Sequence, residues 1–289
     1  MNEQLYLEEE ILSKAKGLYI EARKIKGELL TGHHKSKIKG KGTDFAELRE
    51  YTSGDDIRDI DWKFYGRSEK LMVKVKEDKG RIDLLLCIDD SYSMDFGKNN
   101  KLEYAIRLAG TIGYLGVSQA DRVILKTFSG FPEIPPFPSK EVFFNFYIAL
   151  AMIKPNCSTK PVKFLKDLNA LSKNIKVIVF SDMLYEEKLA LEFLSSFEGV
   201  EFDIIHIIAD EEREITELEQ AFFIDPESNE KILIEPYLLN KYYRKAFSDW
   251  ENTLEEAVNE NGGLYIRTTT STPIYETVTN YLTGLGTKR

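Results

Sequence analysis

The chain has 289 residues and a mass of 33.3 kDa, and its 43% hydrophobic and 30% charged residues are typical of a globular protein. Its formal net charge of −9 argues against general affinity for nucleic acid or anionic lipid. Its two cysteines, Cys87 and Cys157, are too few for a disulfide framework, and no apolar run approaches the roughly 20 residues that cross a bilayer. We therefore expect a reduced, cytoplasmic protein without a signal peptide or an integral membrane segment.

The first predicted element is an amphipathic helix near the N-terminus. Its apolar residues recur at alternating spacings of four and three, which places them on one face of a helix. They are Ile11, Ala15, Leu18, Ala22, Ile25 and Leu29. The pattern favours a helix packed on the body of the protein, with a partner-binding helix as the alternative.

Two charged segments follow and complete a predicted N-terminal unit, residues 1–80. Residues 31–42, TGHHKSKIKGKG, are basic and glycine-rich, but no aromatic residue is interleaved for base stacking and no P-loop motif is present. A solvated loop is therefore favoured over a phosphate site. Residues 43–77 mix both charge signs with apolar residues and end in the alternating strand LMVKVK. A salt-bridged structural clasp is favoured there over a catalytic pair of acids.

From residue 81 to 289 the pattern alternates between strands and helices. Six of the seven residues in 82–88 are apolar, which is typical of a strand buried on both faces. Further strands are predicted at 122–128, 175–180, 201–208 and 264–268, and a small hairpin within 214–235. Helices are predicted at 102–117, 141–153, 186–197, 237–260 and 273–284. A further helix is predicted to follow the loop 154–161 and to run through residue 171. This order predicts an α/β fold with a doubly wound, mostly parallel sheet and helices on both faces.

Hydroxyl and carboxylate side chains are placed where these strands end. Because the carboxyl ends of parallel strands share one edge of a sheet, we expect these side chains to lie close together. Hard oxygen donors of this kind suit Mg²⁺ or Mn²⁺. The candidates are Asp89, Ser91, Ser93, Asp182 and, in a loop between two helices, Ser158 or Thr159. The structural alternative is that the aspartates and serines only cap helices and turns.

The motif D-x-S-x-S at a strand end, with a later threonine and a later strand-terminal aspartate, resembles the metal-ion-dependent adhesion site of von Willebrand factor A domains. The upstream run GTDFAELREYTSGDDIRDIDWK is similar to the family called domain of unknown function 58, often encoded beside MoxR-type AAA+ ATPases. The resemblance covers about residues 32–282. It implies a von Willebrand factor A-like fold with an N-terminal helix and a small β/loop extension.

The same resemblance implies a site for a divalent cation, held directly by hydroxyls and largely through water by aspartates. The implied metal residues are Asp89, Ser91, Ser93, Thr159 and Asp182. Two departures from the family pattern are an extra acid, Asp90, inside the motif and the absence of glycine in the threonine loop NCST.

Two classes of function remain open. The resemblance implies a non-enzymatic, metal-dependent protein-interaction module, an adaptor for a MoxR-type AAA+ ATPase that donates an acidic residue to the metal. The alternative is a phosphoryl-transfer enzyme using Asp89 and Asp182, although a D-x-D phosphatase motif would need an acid where Ser91 stands. A serine hydrolase would need G-x-S-x-G, which is absent. His206 and Cys87 lie within predicted strands and are expected to be core residues.

Overall fold

The computed structural model describes residues 2–31, 45–50, 62–68, 70–76, 82–119, 121–130, 144–156, 175–213, 221–224, 231–234 and 236–284. The helices are α1 (Asn2–Thr31), α2 (Trp62–Ser68), α3 (Lys101–Ser118), α4 (Phe144–Met152), α5 (Glu187–Ser195), α6 (Asp210–Arg213), α7 (Pro236–Glu260) and α8 (Ile274–Thr283). The strands are β1 (Phe45–Glu50), β2 (Met72–Lys76), β3 (Asp83–Ile88), β4 (Arg122–Thr127), β5 (Ile175–Ser181), β6 (Glu201–Ile208), β7 (Ala221–Ile224), β8 (Lys231–Ile234) and β9 (Leu264–Thr269).

Three predicted features lie outside the described residues. They are the basic loop after Thr31, residues 51–61 of the charged clasp, and the loop that contains Ser158 and Thr159 together with the helix predicted after it. The division of the chain at residue 80 stays a prediction. The strand LMVKVK is confirmed as β2, which pairs antiparallel with β1, and the small hairpin is confirmed as the antiparallel pair β7–β8.

The central sheet has five strands, all parallel, in the order β4-β3-β5-β6-β9. The chain passes from β3 outward to β4 on one side and then returns to place β5 on the other side of β3. The strand order therefore reverses between β3 and β5. In open α/β sheets, the crevice beyond the carboxyl ends of strands at such a reversal is the usual ligand site.

Strand β3 is buried along its whole length, and its side chains alternate between two hydrophobic clusters. Leu84, Leu86 and Ile88 join a cluster with residues of α1, α3 and α4, whereas Leu85 and Cys87 join one with residues of α5 and α7. Because successive side chains of a strand point to opposite faces, this alternation shows that helices cover both faces. The predicted α/β fold class is confirmed.

The predicted amphipathic helix is confirmed as α1, which packs on α3 and α4. Its buried face comprises Ala15, Leu18, Ala22, Ile25 and Leu29. The edge of this interface carries two ion pairs, Lys14 Nζ to Glu103 Oε1 at 2.5 Å and Arg107 to Glu21. The helix is thus a packed part of the body, as predicted. None of the helices in the described residues is long and apolar enough to span a bilayer.

The packing of α4 on α3 depends on a glycine. A Cβ atom built on Gly113 would lie 2.7 Å from Cζ of Phe146, a fully buried side chain. We expect Gly113→Ala to lower the free energy of unfolding by about 1–3 kcal/mol, because close-packed cores tolerate added atoms poorly. Gly17→Ala is the matched control: nothing lies within 4 Å of that Cβ position in α1, so a gain of up to about 1 kcal/mol is expected. Urea unfolding of both variants measures the difference, and equal stabilities would contradict the close contact.

Candidate metal centre

The candidate site lies at the strand-order reversal between β3 and β5. The backbone N–H of Asp89 donates to the carbonyl of Phe180 at 2.9 Å, which extends the parallel pairing one residue beyond β3. The loops that carry Asp89 and Asp182 therefore leave the sheet side by side. Both aspartates are almost fully buried.

Asp89 accepts three hydrogen bonds at the base of the site. The backbone N–H of Ser91 donates to Oδ1 at 3.0 Å, and the hydroxyls of Ser181, at 2.6 Å, and Tyr185 donate to Oδ2. Burial and the nearby charge of Asp182 raise the pKa of Asp89 to about 6, against the lowering effect of these hydrogen bonds. Asp89 is thus held in place by three neutral donors, one backbone N–H and two hydroxyls.

A short 3₁₀ turn, Tyr92–Met94, presents the two serine hydroxyls. It is closed by the N–H of Met94, which donates to the carbonyl of Ser91 at 3.1 Å. The hydroxyl oxygens of Ser91 and Ser93 lie 2.9 Å apart. Adjacent oxygen ligands of an octahedral Mg²⁺ at 2.0–2.1 Å are also separated by about 2.9 Å. The separation of the two hydroxyls therefore fits neighbouring positions on such a cation.

Asp182 begins a tight turn after β5. Its Oδ1 accepts from the N–H of Leu184 at 3.2 Å. Met183 has a φ of 49°, in the left-handed region that residues other than glycine rarely adopt. The Ser181 hydroxyl accepts from the N–H of Met183 at 2.9 Å and so supports this conformation. A non-glycine residue in this region costs on the order of 1 kcal/mol or more, and such strain clusters at functional sites.

The structure adds a residue that the sequence reasoning missed. Lys101, the first residue of α3, is fully buried, and its ammonium donates to Asp182 Oδ2 at 2.8 Å and to Glu212 Oε1 at 2.5 Å. The sequence predicts a helix that begins at Leu102, which does not include this lysine. Lys101 lies four residues before Ala105, on the helix face that is buried, and that spacing was the available signal.

The extra acid of the motif, Asp90, points elsewhere. Its carboxylate accepts from the backbone N–H of Ser129 at 2.9 Å and from the Ser129 hydroxyl, and its carbonyl accepts from the N–H of Asn156 at 2.6 Å. Asp90 therefore connects the end of β3 with the loop after β4 and with the segment after α4. This departure from the family pattern has a structural explanation.

Four of the five predicted metal residues are thus brought to one edge: Asp89, Ser91, Ser93 and Asp182. Thr159 and its alternative, Ser158, lie outside the described residues. No group of three or more His, Cys, Asp or Glu side chains in the described residues is arranged to hold a metal. A cation at this edge would therefore depend on hydroxyl groups and water as well as on two carboxylates.

The charges at this edge fit a cation. The buried ammonium of Lys101 pairs with Asp182 and Glu212. Together with the nearby carboxyl of Asp89, these groups carry two more negative charges than this ammonium balances when all three carboxyls are ionised. Among the residues whose side-chain burial the structure describes, Lys101 is the only buried lysine or arginine. Uncompensated buried charge is unfavourable, and a bound divalent cation would relieve it.

Two other predicted core residues can be placed. Cys87 is fully buried in β3, where burial raises the pKa of its thiol, as expected for an unreactive cysteine. His206 is buried in β6 with Nδ1 2.5 Å from the Tyr265 hydroxyl, and burial lowers its pKa to about 4. His206 is therefore neutral at pH 7 and is a core residue, as predicted.

The raised pKa of Asp89 predicts a pH dependence of stability in the presence of EDTA. Because the folded-state value of about 6 lies above the ordinary value of 3.8, Asp89 stabilises the fold most below pH 4, and that contribution is lost as pH rises through 6. The loss is roughly 3 kcal/mol, from 1.36 kcal/mol per pKa unit. Urea unfolding of the wild type and of Asp89→Asn from pH 4 to 7 measures this loss of stability. A difference in the free energy of unfolding between the two proteins that does not change with pH would contradict the burial of a titrating carboxyl.

Comparison with known proteins identifies one matching family and several similar chains. The family described as "Protein of unknown function DUF58" matches residues 47–256. The uncharacterized proteins Mb1516 of Mycobacterium bovis and Rv1480 of Mycobacterium tuberculosis are each 31% identical over 97 residues, which are 33% of this chain and 31% of theirs. The chain thus spans about a third of the length of the curated relatives that it matches.

Two solved structures align over most of the chain. The conserved hypothetical protein BatB from Bacteroides thetaiotaomicron aligns at 17% identity and a TM-score of 0.45, over 72% of this chain and 100% of that chain. An aerotolerance-related membrane protein from Bacteroides fragilis aligns at 17% identity and a TM-score of 0.43, over 70% of this chain and 98% of that chain.

Proposed function

The chain belongs to the DUF58 family, and from that premise we propose that it is a divalent-cation-dependent protein-interaction module that acts in the cytoplasm. The observation that carries the proposal is the pair of serine hydroxyls beside two buried carboxylates at the strand-order reversal. The hydroxyls of Ser91 and Ser93 would hold Mg²⁺ or Mn²⁺ directly, with Asp89 and Asp182 acting largely through water and Thr159 as the fifth residue. This set supports an adhesion site of the von Willebrand factor A type.

The bound cation would supply a positive charge that attracts a carboxylate from outside the chain. The residues of the chain perform the other tasks. Asp89 fixes the loop that presents the two serines through its bond from the Ser91 N–H. Tyr185 and Ser181 hold the carboxylate of Asp89 in place.

Three exposed apolar side chains lie on the same loops as this polar centre, and we name them the apolar rim: Tyr92, Phe96 and Leu184, with exposed fractions of 40%, 46% and 43%. Tyr92 and Phe96 belong to the loop after β3, and Leu184 belongs to the turn after Asp182. A polar centre with apolar neighbours that desolvate it is the usual anatomy of a protein–protein contact. The rim therefore supports a protein partner.

We expect the partner to present an acidic side chain flanked by apolar ones. The chain is acidic overall, so an acidic partner surface would be repelled unless a cation supplied local attraction. A MoxR-type AAA+ ATPase is the proposed partner, on the family association alone.

The rival proposal is phosphoryl transfer with Asp89 as the nucleophile. Asp89 is fully buried and accepts three hydrogen bonds, which leaves it poorly placed to attack a phosphoryl group. Binding is therefore the favoured role.

One experiment separates the two classes of function. Calorimetric titration of the EDTA-treated protein with Mg²⁺ is expected to show one site, and a phosphatase assay with para-nitrophenyl phosphate is expected to show no Mg²⁺-dependent turnover. Turnover that requires Mg²⁺ and is lost in Asp89→Asn would favour the enzyme. An absence of any Mg²⁺ or Mn²⁺ binding would remove the basis of both proposals.

A further inference from the structure

Lys101 places a buried ammonium at the proposed metal site. Its side chain is 0% exposed, its two carboxylate partners are 1% exposed for Asp182 and 12% exposed for Glu212, and the ring of Phe96 lies 5.7 Å from Nζ. Lysine is almost never fully buried unless it is paired, because desolvation of an ammonium is strongly unfavourable. A lysine in this place therefore needs an explanation within the site.

Lys101 is charged despite its burial. Its Nζ lies 2.8 Å from Asp182 Oδ2 and 2.5 Å from Glu212 Oε1, and two carboxylates at these distances favour the charged form of the lysine. The site thus contains a permanent monovalent cation. The Lys101 ammonium contacts Asp182, which is also one of the residues proposed to hold the divalent metal ion.

The contacts of Lys101 also connect three segments of the carboxyl edge. Lys101 begins α3, Asp182 follows β5, and Glu212 lies in α6, where its other oxygen accepts from the N–H of Ala209 at 2.8 Å. Loss of the ammonium would leave the buried carboxylate of Asp182 and the half-buried carboxylate of Glu212 without the positive charge that now bridges them. The loops of the edge are therefore held together by the protein itself.

We infer that Lys101 is a resident counter-cation, which keeps the carboxyl edge folded when no divalent cation is bound and weakens the binding of that cation, so that the metal is exchangeable. The inference rests on the proposed function, because it assigns a positioning role at the same site. Its consequence is that metal occupancy can change without unfolding the edge. Partner binding would then follow the local supply of the cation.

The charges of Lys101 and Glu212 determine whether each substitution strengthens or weakens Mg²⁺ binding. A positive charge a few ångströms from a divalent cation repels it strongly even at an effective dielectric constant of 20. Removing that charge should tighten Mg²⁺ binding and, in the absence of metal, lower stability. Removing Glu212 has the opposite effect on binding, because a negative charge is lost and Lys101 then pairs with Asp182 alone.

The test uses three variants of the full chain: Lys101→Met, Glu212→Gln and Lys98→Met. Lys98 is the matched control, because it is exposed and lies three residues from Lys101, so its substitution makes the same change in charge.

Calorimetry measures the Kd for Mg²⁺, and thermal unfolding is recorded in EDTA and in saturating Mg²⁺. We expect Lys101→Met to bind at least about tenfold more tightly and to gain more in Tm from Mg²⁺ than the wild type does. We expect Glu212→Gln to bind at least about threefold more weakly, and Lys98→Met to stay within about twofold of the wild type.

The outcomes separate the inference from the proposed function. A wild type that binds no divalent cation would overturn both. A wild type that binds Mg²⁺, with Lys101→Met folded and binding no more tightly than it, would overturn the inference alone. If Lys101→Met fails to fold even in Mg²⁺, Glu212→Gln decides: weaker binding supports the inference, and unchanged or tighter binding overturns it.

Discussion

Replacing Asp89 by asparagine is expected to weaken Mg²⁺ binding at pH 7.5 by more than about 100-fold, or about 2.7 kcal/mol. The variant keeps the size of the side chain and an acceptor oxygen, and hydroxyl groups such as those of Ser181 and Tyr185 can both donate and accept. It removes one of the two carboxylates that the proposed cation site contains. The fold should therefore survive while the attraction for the cation is lost, which calorimetry and circular dichroism measure together.

The neighbouring acid provides the matched control. Asp90→Asn makes the same chemical change in an adjacent, equally buried residue, but the Asp90 carboxylate is directed at Ser129 on the other side of β3. Its Mg²⁺ affinity should stay within about threefold of the wild type, because the charge lies outside the proposed site. Similar losses in both variants would show that binding responds to the net charge of the region and not to a specific site.

The second large effect concerns the partner. The complex with a MoxR-type AAA+ ATPase should weaken by well over tenfold in EDTA, or more than about 1.4 kcal/mol, because the cation is the proposed contact for the acidic side chain of the partner. Asp182→Asn should weaken it similarly. Leu184→Ser should weaken it without changing the Kd for Mg²⁺, since the side chain of Leu184 is exposed and is not among the proposed metal residues.

Biolayer interferometry with the purified ATPase measures these affinities. Lys35→Ala, a substitution in the basic segment 31–42, is the control and should change the Kd little, because the sequence predicts no binding role for that segment. An affinity that is the same in Mg²⁺ and EDTA and in Asp182→Asn would show that the carboxyl edge is not the interface.

The fold could be predicted from the sequence because each strand has a local signature. The apolar run in β3 and the regular alternation of helices and strands are properties of consecutive residues, and the handedness and burial rules of parallel sheets then determine the architecture. Asp89 and Asp182 could be placed at one edge for the same reason: each follows a recognisable buried strand.

The rest of the site depends on tertiary contacts that carry no local signature. The hydrogen bond from Tyr185 to Asp89 joins residues 96 positions apart, and the ion pair of Lys101 with Asp182 joins residues 81 positions apart. Spacing along the chain can place Lys101 on the buried face of α3 but cannot reveal its partners, and a lysine at the start of an amphipathic helix is usually solvated. The turn strain at Met183 is likewise a consequence of how the loop after β5 closes.

The most direct test of the central claim is anomalous diffraction from crystals grown with Mn²⁺, which has the same ligand preference as Mg²⁺ and a usable absorption edge. The account predicts one anomalous peak at the carboxyl edge of β3 and β5, in contact with the hydroxyls of Ser91 and Ser93, and no such peak in crystals of Asp89→Asn. A well-ordered edge without a peak at saturating Mn²⁺, or Mn²⁺ bound only elsewhere on the chain, would contradict it.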